Sequence, residues 1–226
     1  MSLTNLSERL CRELQVNQQA MAYLRSARGI DGFTITDLGI GYCNWDTKDD
    51  IGVNLYGRIT FPVYNLIGDP VTFGGRILPA VDNGRSAKYL NGAASPIYDK
   101  SRVLYNLYNA SDYILKAGSA IVVEGYMDVA ALWQSGIRNV VATCGTAFTK
   151  WHLRLLKRYA EKVFLVYDDD LAGANSSSKA FQALQSERFP LMLVKSMDGM
   201  DPDEYIRLMG KDAFLELLNE AKSNQV

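Results

Sequence analysis

Cysteine is scarce in this 226-residue chain: Cys11, Cys43 and Cys144 stand singly, and no Cys-x-x-Cys pair occurs. That excludes a structural zinc site and a disulfide framework, and it fits three reduced thiols. Histidine is scarcer still. His152 stands alone, so no Ser–His–Asp or Cys–His arrangement can be argued, and a surface or packing role is expected for it. No apolar run approaches the roughly 18 residues that a membrane-crossing helix needs. The start, Met1–Asn5, lacks the basic segment and apolar core of a signal peptide, so no membrane association and a cytoplasmic location are expected. An excess of one charge is missing too. A net charge of −1 excludes a generally basic nucleic-acid binder but leaves room for a local basic patch.

What the chain does have is enough apolar material for a core, at 48% hydrophobic residues, and two stretches with the same grammar. One is Ile121-Val122-Val123-Glu124-Gly125-Tyr126-Met127-Asp128. The other is Phe164-Leu165-Val166-Tyr167-Asp168-Asp169-Asp170-Leu171-Ala172-Gly173. Each is a β-branched apolar run, then carboxylates, then a helical pattern. Such runs read as buried parallel strands, with the acids at their carboxyl ends, where open α/β sheets place their sites. From Ser119 the rhythm continues as βαβαβαβ. The expected strands are Ala120–Glu124, Asn139–Thr143, Val163–Tyr167 and Leu191–Val194; the expected helices are Met127–Gln134, Thr149–Ala160 and Ala174–Glu187. This predicts a four-stranded parallel sheet flanked by helices. Two short helices, Asp203–Met209 and Lys211–Ala221, close the chain.

The first half is mixed α+β. Leu6, Leu10, Leu14, Ala20 and Leu24 predict a helix from Leu3 to Arg28, stopped by Gly29. A turn and short helix follow over Gly32–Tyr42, ending at Gly39 or Gly41, then a polar loop from Cys43 to Gly57. Arg58–Tyr64 and Val71–Leu78 read as a hairpin, with Gly74-Gly75 suggesting a bulge or a close backbone approach. Pro79–Arg102 reads as a long irregular segment around Lys88-Tyr89-Leu90-Asn91, and Val103–Lys116 as a helix. The expected organisation is a mixed α+β N-terminal subdomain over 1–117, an α/β domain over 118–203 and a short helical segment over 204–226.

The acids carry the chemistry. Glu124 ends the first strand and Asp128 lies one helical turn beyond. Asp168 and Asp170 alternate about Asp169, and so share a face of an extended segment. Asp201 and Asp203 repeat the alternation after the fourth strand. Acids that cap helices or line solvated loops produce single patterns of this kind. Three clusters in register on one α/β unit point instead to one or two hard divalent ions, Mg²⁺ or Mn²⁺, with room left for substrate phosphates.

Glu124-Gly125-Tyr126-Met127-Asp128, the Asp168-x-Asp170 pair before Ala172-Gly173, and Asp201-Pro202-Asp203 resemble the TOPRIM domain of bacterial DnaG-type DNA primases. Upstream, Tyr23-Leu24 through Arg28-Gly29-Ile30, Ile40-Gly41-Tyr42, Arg58 to Phe61-Pro62, Phe73-Gly74-Gly75-Arg76, Lys88-Tyr89-Leu90-Asn91 and Lys100 to Tyr105 resemble the same family's N-terminal polymerase subdomain, in order. The resemblance spans about Ala20 to Leu215.

It implies template-directed synthesis of short RNA primers on single-stranded DNA. Glu124, Asp168 and Asp170 would be the catalytic, metal-binding carboxylates, with Asp128, Asp201 and Asp203 as supporting or further metal ligands. Arg28, Arg76, Lys88 and Lys100 match basic positions that contact template or nucleotide. Local charge agrees: Gly52 to Ala110 holds Arg58, Arg76, Arg85, Lys88, Lys100 and Arg102 against only Asp69, Asp82 and Asp99. Implied partners are the DNA template, ribonucleoside triphosphates, and a replicative helicase or a separate zinc-binding module, in a bacterium or a phage- or plasmid-bearing host. Two residues depart from the family pattern: Asp169 replaces a glycine and Leu171 an arginine. The sequence is expected to be a core alone, without the family's zinc-binding and helicase-binding domains, either as a natural minimal protein or as a fragment of a longer one. These departures keep two other readings open: a non-catalytic single-strand-binding TOPRIM module and a TOPRIM nuclease.

Overall fold

The structure is a computed structural model and describes residues 1–167, 184, 187–194 and 197–223. The chain forms two compact units, Met1–Asp99 and Lys100–Val226. The helix over Leu107–Ala117 packs onto the sheet of the second unit.

The first unit begins with α1 (Leu3–Val16), whose Leu6, Leu10 and Leu14 are buried at the expected helical spacing. The helix does not run on to Arg28. Asn17 turns to an extended conformation and its side chain accepts the N–H of Ala20 at 2.8 Å, starting α2 (Gln18–Ala22). A single π-helical turn over Tyr23–Ala27 follows, and Gly29 takes a left-handed φ of 68°. Asp31 caps α3 (Gly32–Asp37), which ends before Gly39.

Four antiparallel strands, β1 (Gly41–Cys43), β2 (Arg58–Tyr64), β3 (Pro70–Ile77) and β4 (Tyr89–Asn91), pair in that order. A four-residue helix, α4 (Lys48–Ile51), interrupts the expected polar loop. The hairpin is as expected, but its register shift falls at Val63/Tyr64 and not at Gly74-Gly75. Gly75 serves a close approach instead: a Cβ there would lie 2.8 Å from Leu55 Cδ2 and 3.0 Å from Arg58 Cδ. The Lys-Tyr-Leu-Asn stretch, expected to be irregular, supplies β4, with Arg76 opposite Tyr89.

The second unit opens with α5 (Leu107–Ala117), closed by Gly118 in the left-handed region. Its sheet comprises β5 (Ser119–Val123), β6 (Val140–Ala142), β7 (Lys162–Val166), β8 (Leu191–Val194) and β9 (Lys222–Ser223), in the order β6-β5-β7-β8-β9. The first four strands are parallel, as the βαβ rhythm predicts, and buried through almost every position. The antiparallel β9 beside β8 was not expected. At the opposite edge, Tyr105 and Ala142 exchange backbone hydrogen bonds of 2.9 and 3.2 Å.

Two helices, α6 (Tyr126–Gln134) and α7 (Lys150–Leu156), form where they were read. Asp201 caps the last helix, α8 (Pro202–Glu220), where Gly210 with φ 84° and ψ 177° breaks the helical path between the two expected segments. The expected helix Ala174–Glu187 lies almost wholly outside the described residues. No described helix is long and apolar enough to cross a membrane.

Candidate active site

Strand order places the acids. The chain leaves β5 for β6 on one side and returns to β7 on the other, so the order reverses between β5 and β7. That crevice, at the carboxyl ends of adjacent parallel strands, is where α/β sheets bind ligands. Glu124 follows β5 directly and is half-buried. Its carbonyl accepts the N–H of Cys144 at 3.0 Å, which extends the β5–β6 ladder and fixes the backbone under its side chain. Tyr167 follows β7. Burial, and then the Glu124 carboxylate, push its hydroxyl well above the ordinary tyrosine range, which identifies the two as neighbours. Asp168 and Asp170 lie outside the described residues.

Asp128 is 7% exposed. Its Oδ2 accepts the N–H of Gly125 at 2.9 Å, and its Oδ1 accepts the N–H of Asp203 at 3.3 Å. One carboxylate therefore ties the start of α6 to the start of α8. A Cβ on Gly125 would sit 2.9 Å from that Oδ2, so only glycine permits this approach. Asp203, 1% exposed, accepts from Arg207 Nε at 2.9 Å. Asp201 Oδ1 accepts the N–H of Glu204 at 2.7 Å. Among the described residues no three His, Cys, Asp or Glu side chains form a metal-binding group. The donors still fit a hard cation: Glu124 supplies carboxylate oxygens at a strand end.

The thiols offer no alternative chemistry. Burial pushes Cys43 up to about 11 and raises Cys11 and Cys144 as well, so they stay protonated at neutral pH. His152 is not a surface residue. It is fully buried, its Nδ1 accepts the N–H of Thr149 at 3.2 Å, and Nε2 lies 3.0 Å from the Lys100 carbonyl, to which that tautomer donates. Thr149 Oγ1 donates to the Ser101 carbonyl at 2.7 Å. Together they moor the backbone that carries Lys100.

The first unit gathers most of the other predicted basic residues. Arg28 and Arg76 lie 5.9 and 5.8 Å over the ring of Tyr23. Arg28 Nε also donates to the Tyr23 hydroxyl at 3.0 Å. Arg76 donates to the Tyr89 hydroxyl and lies 5.2 Å over that ring. It is only 9% exposed, and no carboxylate pairs with it among the described residues. Lys88, next to Tyr89 in sequence, is exposed. Tyr23, which organises this cluster, was not among the predicted site residues; in the sequence it stands 53 positions from Arg76.

Arg58 is part of the same structure but not of the same chemistry. It is 3% exposed, and it donates to the carbonyls of Gly75, Ala87 and Lys88 at 3.2, 2.9 and 3.3 Å. It holds the segment that presents Lys88. Arg58→Met should destabilise the chain by about 2–4 kcal/mol, because three carbonyls lose a charged donor. Urea denaturation would measure the loss, and proteolysis near residues 85–88 should quicken.

The βαβ order of the second unit, with Glu124 at the switch point of its parallel sheet, is that of a TOPRIM-like α/β domain. Residues 121–206 match the Toprim-like family model, and residues 45–111 match the DNA primase catalytic core, N-terminal domain. The chain is 36% identical, over 238 aligned positions, to the DNA primase of Clostridium acetobutylicum, covering 94% of this chain and 39% of that relative. Among solved structures, the Aquifex aeolicus primase (zinc binding and RNA polymerase domains) is similar with a TM-score of 0.88 and 31% identity, over 98% of this chain and 60% of that one. A DnaG primase catalytic domain bound to single-stranded DNA gives 0.87 and 30%, over 97% and 77%. The chain belongs to the family of DnaG-type primase catalytic cores. It spans about two fifths of the length of its curated relative, and membership implies divalent-metal use in general terms.

Proposed function

We propose that this chain is the polymerase core of a primase, making short RNA primers on single-stranded DNA during replication. Arg76 carries the reading. A guanidinium that is nine-tenths buried with no carboxylate paired to it among the described residues favours an arriving anion, and its neighbours are basic and aromatic. A template or triphosphate phosphate satisfies it.

In the reaction, the 3′-hydroxyl oxygen of the growing primer bonds to the α-phosphorus of a ribonucleoside triphosphate, and the bond to pyrophosphate breaks. Mg²⁺ or Mn²⁺, held by Glu124, Asp168 and Asp170, would supply charge neutralisation for the attacking and leaving oxygens. Asp128 holds Glu124's loop against α8, and Asp201 and Asp203 set the start of that helix. Arg28, Arg76, Lys88 and Lys100 bind template and triphosphate. A separate zinc-binding module and a replicative helicase are the proposed protein partners.

The test is ribonucleotide incorporation on single-stranded DNA with Mg²⁺ or Mn²⁺, with and without helicase. Asp168→Ala should abolish it; parent-level primer synthesis by that variant would overturn the assignment. Lys88→Ala should weaken template binding and lower the slope of log affinity against log salt by about 1.

A further inference from the structure

Helix α7 turns one face inward through His152, Leu153 and Leu156, all buried. Its other face carries Trp151 and Arg154, one turn apart, with Arg158 just beyond the helix end, and all three are exposed. The indole of Trp151 is 45% exposed, unusual for a side chain of that size. Two guanidinium groups rest on it: Arg102 at 4.4 Å and Arg154 at 4.9 Å from the ring centroid. Arg102 reaches it from the segment that Thr149 and His152 bind at Ser101 and Lys100.

Two like charges are held on one ring, which gathers positive charge at this point of the surface. The surroundings add charge of the same sign. Residues 147–162 contain Lys150, Arg154, Lys157, Arg158 and Lys162 against Glu161 alone. Glu187 joins from elsewhere, bonded to Lys157 at 3.2 Å and near Lys150 at 3.9 Å; these lysines hold its carboxyl below the usual range. In a chain of net charge −1, such a concentration is local and specific. It centres on α7 and the residues that follow it, and none of its residues belongs to the predicted site.

We infer that the Trp151 face of α7, with Arg102, Arg154 and Arg158, is an additional phosphate-backbone contact for nucleic acid. The indole pre-orients two planar donor forks, which suits bidentate binding of phosphodiester oxygens. The strand bound is either the single-stranded template or the primer–template hybrid, both of which carry that chemistry.

Fluorescence anisotropy on the whole chain tests this, with a labelled homopyrimidine DNA strand, alone or annealed to complementary RNA, without metal or nucleotides. Failure of the polymerase assignment would appear only in the incorporation assay, so the two are separable. Arg102→Gln/Arg154→Gln should weaken binding about tenfold and lower the salt slope by about 2. Trp151→Ala, which keeps the charge, should weaken it about threefold, and Trp151→Phe should restore most of that loss. Arg158→Glu provides an independent charge change away from the indole. Selective loss on one probe assigns the face to that strand form; equal loss assigns it to both. Parent affinity and parent salt slope on both probes, in the double variant and in Arg158→Glu, would overturn the inference.

Discussion

Glu124→Gln should leave a folded protein that makes almost no primer. The substitution preserves size and removes a charge at the one described carboxylate that follows β5 at the switch point. Its backbone is held by the ladder to Cys144, so the amide will occupy the same place. What is lost is negative charge where polyphosphate and its counter-cation must meet. Removing one pre-positioned electrostatic group from an active site typically costs about 10²–10³-fold in rate. Stability should change by less than about 0.5 kcal/mol, as for a half-exposed position. Incorporation kinetics beside a thermal melt check both halves. A variant that polymerises within a few-fold of the parent would remove Glu124 from the catalytic set.

The second large effect is thermodynamic. Asp128→Ala should destabilise the second unit by about 2–4 kcal/mol, because the N–H groups of Gly125 and Asp203 lose their acceptor inside the protein. Asp128→Asn should rescue little, since its amide nitrogen would face one of those donors. The readout is a lowered urea midpoint at unchanged slope. Activity should fall with it, because Gly125 adjoins Glu124 and the start of α8 would lose its anchor. This distinguishes Asp128 from Glu124: one failure shows in stability and rate, the other in rate alone.

The four parallel strands were legible because a strand buried on both faces must be apolar throughout, and Leu191–Val194 formed as read. Helix breaks were legible only where the residue type forces them. Gly210 does so; Asn17 does not, since its cap depends on how its own side chain turns. Strand order was not legible, because nothing in an apolar run names its neighbour. Glu124 was therefore expected at a strand end before the β5/β7 reversal showed why there. β4 was missed because Tyr89-Leu90-Asn91 is too short to show a period. Tyr23 was missed because a ring that receives two arginines from distant positions leaves no local trace. His152 read as a surface or packing residue because its partner, the Lys100 carbonyl, is 52 residues away. The Asp169 and Leu171 departures lie outside the described residues.

The two margins of the parallel sheet bear on self-association. A bare β8 would offer a row of unpaired amides and carbonyls to any passing strand. Instead Lys222 and Ser223 return antiparallel to pair with Leu193 and Met192. At β6, Tyr105 occupies Ala142, and Asn106 Nδ2 donates to the Val140 carbonyl at 3.0 Å. Both rims are covered by short pieces, a two-residue strand at one margin and a single bridge at the other. Copies of this unit therefore meet, among the described residues, only short margins from which sheet-to-sheet aggregation could begin.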